Sequence, residues 1–144
     1  MASALLSNTR LIRVQWGDCD PAGIVFYPRY FEWFDASTIL LFEKATGMTK
    51  IRMLAKYNGA GLALIEASAS FSVPSRYGDD IEIHTHIEEC GRSSFQVRHR
   101  VLKDGVPALQ GFERRVWTTR DPADPSRLIS APIPAEVLEG LRAG

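Results

Sequence analysis

The period of hydrophobic and polar positions changes along this chain, and each change marks an element. Near the N-terminus, Ile12, Val14 and Trp16 alternate with Arg13 and Gln15, which predicts a half-buried strand over residues 11–17. Gly17-Asp18-Cys19-Asp20-Pro21-Ala22-Gly23 then breaks the alternation with turn-forming residues. From Pro28 to Thr46 the period becomes helical. At ~100° per residue, Tyr27, Tyr30, Phe31, Phe34, Leu41, Phe42 and Ala45 share one arc. Arg29, Glu32, Glu43 and Lys44 lie opposite, together with Trp33, Ala36 and Leu40. Pro28 suits a first helical turn and Gly47 a C-cap. Residues 48–57 carry a weaker helix or a loop, closed by Asn58-Gly59.

Beyond Leu62 the period is two. Runs over 62–73, 80–90, 93–102 and 108–119 read as successive strands. In the second, Ile81, Ile83, Thr85 and Ile87 alternate with Glu82, His84, His86 and Glu88. In the third, Phe95, Val97, His99 and Val101 alternate with Gln96, Arg98 and Arg100. Lys103-Asp104-Gly105 is a hairpin signal, residues 121–125 are a polar loop, and a short helix runs from Ala135 to Arg142. One strand, one long helix and four further strands make an α+β fold, with the helix packed on an antiparallel sheet. The width of the apolar stripe predicts a helix largely wrapped by that sheet.

Length and charge narrow the possibilities. The 144 residues fit one domain, residues 1–144, and 45% hydrophobic content suffices for a core. Seventeen basic residues balance seventeen acidic ones, which argues against a nucleic-acid partner. Apolar runs such as Ile39–Phe42 are far shorter than the ~20 residues of a membrane span, and Met1 to Arg10 lacks the pattern of a signal peptide. The expectation is a cytoplasmic protein with no membrane association. Cys19 and Cys90 form no metal-binding spacing, and with three histidines no metal site or cofactor is expected.

Two features carry candidate chemistry. Asp35 falls within the apolar arc of the long helix, where a carboxylate needs either a partner, such as a core hydroxyl or an arginine, or a task. Asp18 and Asp20 lie at a strand exit just before a helix start. Free N–H groups at a helix N-terminus can stabilise a developing oxyanion, and a nearby carboxylate can act on the same carbonyl as nucleophile or base. The same spacing also suits an Asx-turn.

The segment GDCDPAGIVFYPRYFEWFD, residues 17–35, resembles the opening of the 4-hydroxybenzoyl-CoA thioesterase family, within the hotdog-fold superfamily. Shorter matches follow at Ala69-Ser70-Phe71, Tyr77-Asp79-Asp80, Ser94-Phe95 and Arg115-Val116, so the resemblance covers nearly the whole chain. It implies a hotdog fold, a long helix wrapped by a five-stranded antiparallel sheet, and hydrolysis of an acyl-CoA thioester. Carried over, Asp20 is the catalytic carboxylate and the Tyr27 backbone N–H polarises the thioester carbonyl. Asp35 faces the acyl group and accepts from a ring hydroxyl. Trp33, like Tyr30 and Phe34, reads first as a core residue, with the wall of an acyl tunnel as its alternative role. Arg92 and Ser94 fall at the CoA-binding strand turn, and Arg127 near a second basic position for CoA phosphates. The resemblance further implies a homodimer with ten continuous strands, often doubled to a homotetramer, with active sites between protomers.

The chain departs from the aromatic-acyl enzymes in two places. Gly91-Arg92-Ser93 holds one arginine where they carry a basic run, which leaves Arg76 or Arg98 as further CoA contacts. Leu62 and Glu66 stand in the strand expected to face the acyl pocket. Alternatives to the aromatic acyl-CoA reading are a short-chain thioesterase of the Tol-Pal-associated type and a non-catalytic acyl-CoA-binding hotdog protein. A hydratase needs a histidine on the loop or long helix, and none occurs before His84. His84 and His86 read as surface residues, Cys19 as filler, and Asp18 as a loop-closing group.

Overall fold

The computed structural model of the chain describes residues 5–143; the Met1–Ala4 start of the segment read for a leader lies outside them. Strand β1 (Ser7–Arg13) leads through a 3-10 turn (Trp16–Asp18) and a short loop into helix α1 (Pro28–Thr46). A second helix, α2 (Lys50–Lys56), precedes strands β2 (Gly61–Phe71), β3 (Asp80–Cys90), β4 (Ser94–Lys103) and β5 (Val106–Arg120). A short β6 (Leu128–Ser130) and helix α3 (Ala135–Arg142) complete the chain. The sheet is antiparallel in the order β1-β3-β4-β5-β2, and β6 pairs with the end of β5 beyond the start of β4. Among the described residues, no helix is long and apolar enough to cross a membrane.

Helix α1 begins and ends where the sequence predicts. Pro28 opens it and Gly47 closes it in the left-handed region, at φ 69°, with its N–H on the Glu43 carbonyl. Its buried face carries Tyr30, Phe34, Ser37, Thr38, Leu41 and Phe42. Two clusters fill the space between helix and sheet. Val14, Val25, Tyr30, Phe34, Ile81, Ile83, Val101 and Leu109 pack around the N-terminal half of α1. Leu41, Phe42, Met53, Ile87, Phe95, Trp117, Ile133 and Val137 pack around its C-terminal half. Phe34 comes so close to the sheet that a Cβ at Gly111 would collide with its ring.

The first strand lies further upstream than its alternation suggests. Its ladder with β3 runs from Ser7↔His86 to Arg13↔Asp80 and stops where β3 begins. Val14 stays buried, but Trp16 enters the 3-10 turn and is exposed. The 48–57 segment resolves into α2, capped by the Thr49 hydroxyl accepting from the Arg52 N–H.

A bulge changes β2 as well. The register with β5 slips between Leu64 and Glu66, so Ile65 is an extra residue on this strand. Inward and outward positions exchange across it. Leu62 is buried in the core, whereas Glu66 points to the outer face and pairs with Arg114 at 3.5 Å. On the strand expected to face the acyl pocket, Leu64 and Ala67 rather than Leu62 and Glu66 are the residues beside the helix groove.

Candidate active site

The loop between β1 and α1 folds as a small hairpin. Cys19 and Val25 form a bridge, the Asp20 N–H donates to the Ile24 carbonyl at 2.9 Å, and the Phe26 N–H donates to the Asp18 carbonyl at 2.8 Å. Gly23 turns the chain at φ 81°, a conformation that favours glycine. Asp18 closes the loop through its side chain, accepting from the Gln15 N–H at 2.8 Å. Asp20 uses one oxygen, Oδ1, to accept from the Ala22 N–H at 2.9 Å. That is an Asx-turn contact, and it leaves Oδ2 without a hydrogen-bond partner among the described residues. The carboxylate borders a cavity of about 400 Å³ lined by Trp16, Cys19, Pro21, Gly23 and Tyr77.

At the helix start the backbone donors are unevenly used. The Arg29 N–H bonds the Phe26 carbonyl and the Tyr30 N–H bonds the Tyr27 carbonyl, while Pro28 has no N–H. The Tyr27 N–H has no partner among the described residues. It is therefore a free donor at the positive end of α1, where a developing negative charge is stabilised.

Tyr27, Phe31 and Asp35 follow one another at i, i+4 and i+8 along α1, so they share a stripe that spans about 12 Å. Phe31 and Asp35 border a groove of about 350 Å³ with Leu64, Ala67, Glu113 and Arg115. A neighbouring depression of about 300 Å³ is lined by Tyr27, Tyr30, Phe71 and Val73. Asp35 sits at the flank of the helix where the sheet ends at β2, and its side chain is 53% exposed. It does have a partner: Arg115 Nη2 donates to Asp35 Oδ1 at 2.8 Å.

Behind that ion pair lies a polar chain that the sequence reading did not single out. Arg115 Nε donates to Glu113 Oε1 at 3.0 Å and Nη2 to Oε2 at 3.2 Å. Glu113 also accepts from the Thr38 hydroxyl at 2.6 Å and lies 3.5 Å from His99 Nε2. The other nitrogen of His99 meets Thr85 Oγ1 at 2.7 Å, and its ring stacks on Phe34 at 4.4 Å. Burial pushes Glu113 up, but the bonds from His99 and Arg115 outweigh it and bring its pKa down to about 2. Burial also dominates at His99 and holds its pKa below the ordinary value. The signal was present in the period of β5: Glu113 and Arg115 occupy the inward positions between Leu109 and Trp117, where charge is out of place.

The remaining candidates lie elsewhere. Trp33 is half-buried on the β1 side of α1, edge-on to Tyr30 at 5.3 Å, and its carbonyl accepts from Arg10. It is not among the residues of the Asp35 groove. Arg92, Ser94 and Arg127 are exposed at the end of the sheet where β5 finishes, beside the C-terminal half of α1. Asp20 and Tyr27 are at the opposite end, roughly 25 Å away along the strands. Arg76 is the basic residue near Asp20, its guanidinium facing Gly23. Arg98 is engaged on the outer face with Glu88 and the Phe112 ring.

Known proteins share this fold and much of this sequence. The model of the thioesterase-like superfamily matches residues 14–141. The 4-hydroxybenzoyl-CoA thioesterase of Pseudomonas sp. (strain CBS-3) is 35% identical over 139 residues, which span 92% of this chain and 96% of that protein. A crystal structure of a mutant 4-hydroxybenzoyl-CoA thioesterase complexed with 4-hydroxybenzoyl-CoA superposes with a TM-score of 0.85. It is 32% identical and covers 94% of this chain and 98% of its own. A gentisyl-coenzyme A thioesterase superposes with a TM-score of 0.76 at 30% identity, covering 93% and 98%. The fold is thus the hotdog fold, with β6 as a short sixth strand beside the five expected. These likenesses place the chain in the thioesterase-like superfamily, as a hotdog-fold thioester hydrolase.

Proposed function

We propose that this chain hydrolyses acyl-CoA thioesters whose acyl group is a hydroxylated benzoyl, such as 4-hydroxybenzoyl-CoA, to the free acid and CoA. The observation that carries this reading is the stripe along α1. A benzoyl ring with a hydrogen bond at each end covers a length on the order of the 12 Å between Tyr27 and Asp35. The thioester carbonyl accepts from the Tyr27 N–H, the ring lies beside Phe31, and the ring hydroxyl donates to Asp35. The named acyl groups of the relatives, 4-hydroxybenzoyl and gentisyl, are both hydroxylated rings.

Asp20 acts on the carbonyl carbon, with Oδ2 as nucleophile or as base for a water molecule. Negative charge then gathers on the carbonyl oxygen, where the Tyr27 N–H and the helix start stabilise it, and its collapse breaks the C–S bond and releases CoA as the thiolate. On the nucleophilic route this leaves a mixed anhydride on Asp20, which water hydrolyses to the free acid and the free carboxylate. In single-turnover hydrolysis in H₂¹⁸O, label entering Asp20 marks the nucleophilic route, because a general base delivers the labelled oxygen to the acid alone.

The site is completed by a second copy of the chain. Strand β2 is an edge, and Leu64, Ile65 and Phe71 on it are each about half exposed. Antiparallel pairing of two β2 edges about a two-fold axis gives a ten-stranded sheet and brings one protomer's Asp20 end towards the partner's opposite end. Arg92, Ser94 and Arg127 there hold the CoA phosphates of the substrate bound at the first protomer's Asp20, together with Arg76.

The test is the rate of thiol release from 4-hydroxybenzoyl-, benzoyl-, phenylacetyl- and butyryl-CoA. The expected order places 4-hydroxybenzoyl-CoA first in kcat/KM. A short aliphatic acyl group offers Asp35 no donor, so a preference for butyryl-CoA contradicts the aromatic assignment. Absence of turnover on every thioester contradicts the reaction itself.

A further inference from the structure

Two charged side chains in the core call for a reason. Glu113 and Arg115 are 3% and 6% exposed, and both project from β5 towards α1. Taking such a pair out of water costs about as much as the pair returns, so stability alone does not account for it. Its geometry is one-sided. Arg115 is bound by Glu113 through Nε and Nη2 and by the Leu62 carbonyl through Nη1 at 3.0 Å, and Glu113 is bound in turn by Thr38. Every one of those partners is buried. The one outward contact is Nη2 to Asp35 Oδ1.

Arg115 is therefore fixed by the core, and Asp35 is fixed by Arg115. Left alone, an aspartate side chain on an exposed helix flank moves among its rotamers. The planar guanidinium holds Oδ1 at a defined direction and leaves Oδ2 as the acceptor. Among the described residues, Oδ2 has no hydrogen-bond partner. The Ile65 bulge adds to this, because it lies opposite Arg114 and Arg115 and sets Leu64 and Ala67 beside the same groove.

We propose that Arg115, clamped by Glu113 and the Leu62 carbonyl, is a positioning residue that aims Asp35 at the acyl group and thereby sets discrimination between hydroxylated and plain benzoyl thioesters. The inference rests on the acyl-CoA hydrolase reading and deepens it. Arg115 borders the groove, but four of its five N–H groups are committed to protein acceptors, so it acts on the acyl group through Asp35. A ring substituent that cannot donate, such as 4-methoxy, gains nothing from this arrangement.

The experiment measures kcat and KM for 4-hydroxybenzoyl-CoA and benzoyl-CoA in the wild type, Arg115→Gln, Arg115→Lys, Asp35→Ala and the Arg115→Gln/Asp35→Ala double variant. The expected result is a fall of about tenfold or more in the 4-hydroxybenzoyl to benzoyl ratio of kcat/KM in Arg115→Gln, with a smaller fall in Arg115→Lys. The double variant is expected to discriminate no worse than Asp35→Ala, because both changes remove one arrangement. A structural role predicts equal losses on the two substrates and effects that add; either outcome overturns the proposal. Should Arg115→Gln fail to fold, Glu113→Gln keeps the arginine and removes part of its clamp, and it is expected to lower the ratio in the same direction. An unchanged ratio in a folded Glu113→Gln then overturns the proposal. A wild type that hydrolyses no acyl-CoA contradicts the functional reading, whereas an active wild type with unchanged ratios in the variants contradicts only the role of Arg115.

Discussion

At the scale of single residues, most of the unusual chemistry of this chain is a carboxylate with a reason to be where it is. Asp35 was legible from the helical wheel alone, since it interrupts an apolar arc. Its partner was legible only in part. Arg115 stands at an inward position of β5, but a period of two does not say which helix residue it meets across a groove. Glu113 and His99 make the core sensitive to acid. Folding holds the Glu113 pKa at about 2, below its ordinary 4.5, so its contribution to stability is full above pH 4.5 and fades as pH falls towards 2. Folding also holds His99 below its ordinary 6.5, so the unfolded chain takes up that proton first and stability begins to drop once pH falls below 6.5. The melting temperature is expected to decline from pH 7 to pH 5, and His99→Gln is expected to flatten that part of the curve. A wild-type curve as flat as the variant's over that interval would falsify the assignment.

At the scale of elements, punctuation residues decided how much could be read. Pro28 and Gly47 bracket α1, and its limits follow from them. The N-terminal strand was displaced because the alternation of Ile12, Val14 and Trp16 outlasts the ladder, which ends with Arg13 on Asp80. Strand β6 has three residues, too few for a period to register. The Ile65 bulge inverts the second half of β2, and nothing in a run of apolar residues marks the extra one. The tight approach of α1 to β5 rests on Gly111. A methyl group there meets the Phe34 ring, whose own side chain is fully buried against His99. Gly111→Ala is expected to cost about 1–3 kcal/mol, typical of an overpacked core. Phe34→Leu, placed in the Gly111→Ala background, is expected to recover part of that loss in denaturant titration. Wild-type stability for Gly111→Ala means that α1 stands further from the sheet.

At the scale of the whole molecule, Asp20 and Tyr27 occupy one end of the helix while Arg92, Ser94 and Arg127 occupy the other end of the sheet. The sequence placed all five in one functional set, and only the fold separates them. Within one protomer they lie at opposite ends of the sheet, and the proposed pairing of two β2 edges is what would bring one set beside the other across the interface. Light scattering is expected to give a mass of at least twice the 16.0 kDa chain at micromolar concentration. Replacing Ile65 on the exposed edge with lysine is expected to shift that mass towards the monomer and to reduce turnover with it. A fully active monomer rules out the shared site. The proposed reaction turns on one carboxylate, and its chemistry can be separated from its place in the loop. Asparagine at position 20 keeps the Oδ1 acceptor for the Ala22 N–H but is neither nucleophile nor base at neutral pH. The decisive measurement is kcat on 4-hydroxybenzoyl-CoA for Asp20→Asn beside Asp18→Asn, with the melting temperature of each. The expected result is a loss of ~10²-fold or more for Asp20→Asn at near wild-type melting temperature, with a much smaller loss for Asp18→Asn. Retention of more than about a tenth of wild-type kcat by Asp20→Asn, under ~1.4 kcal/mol of barrier, contradicts a catalytic Asp20 and leaves it a turn residue.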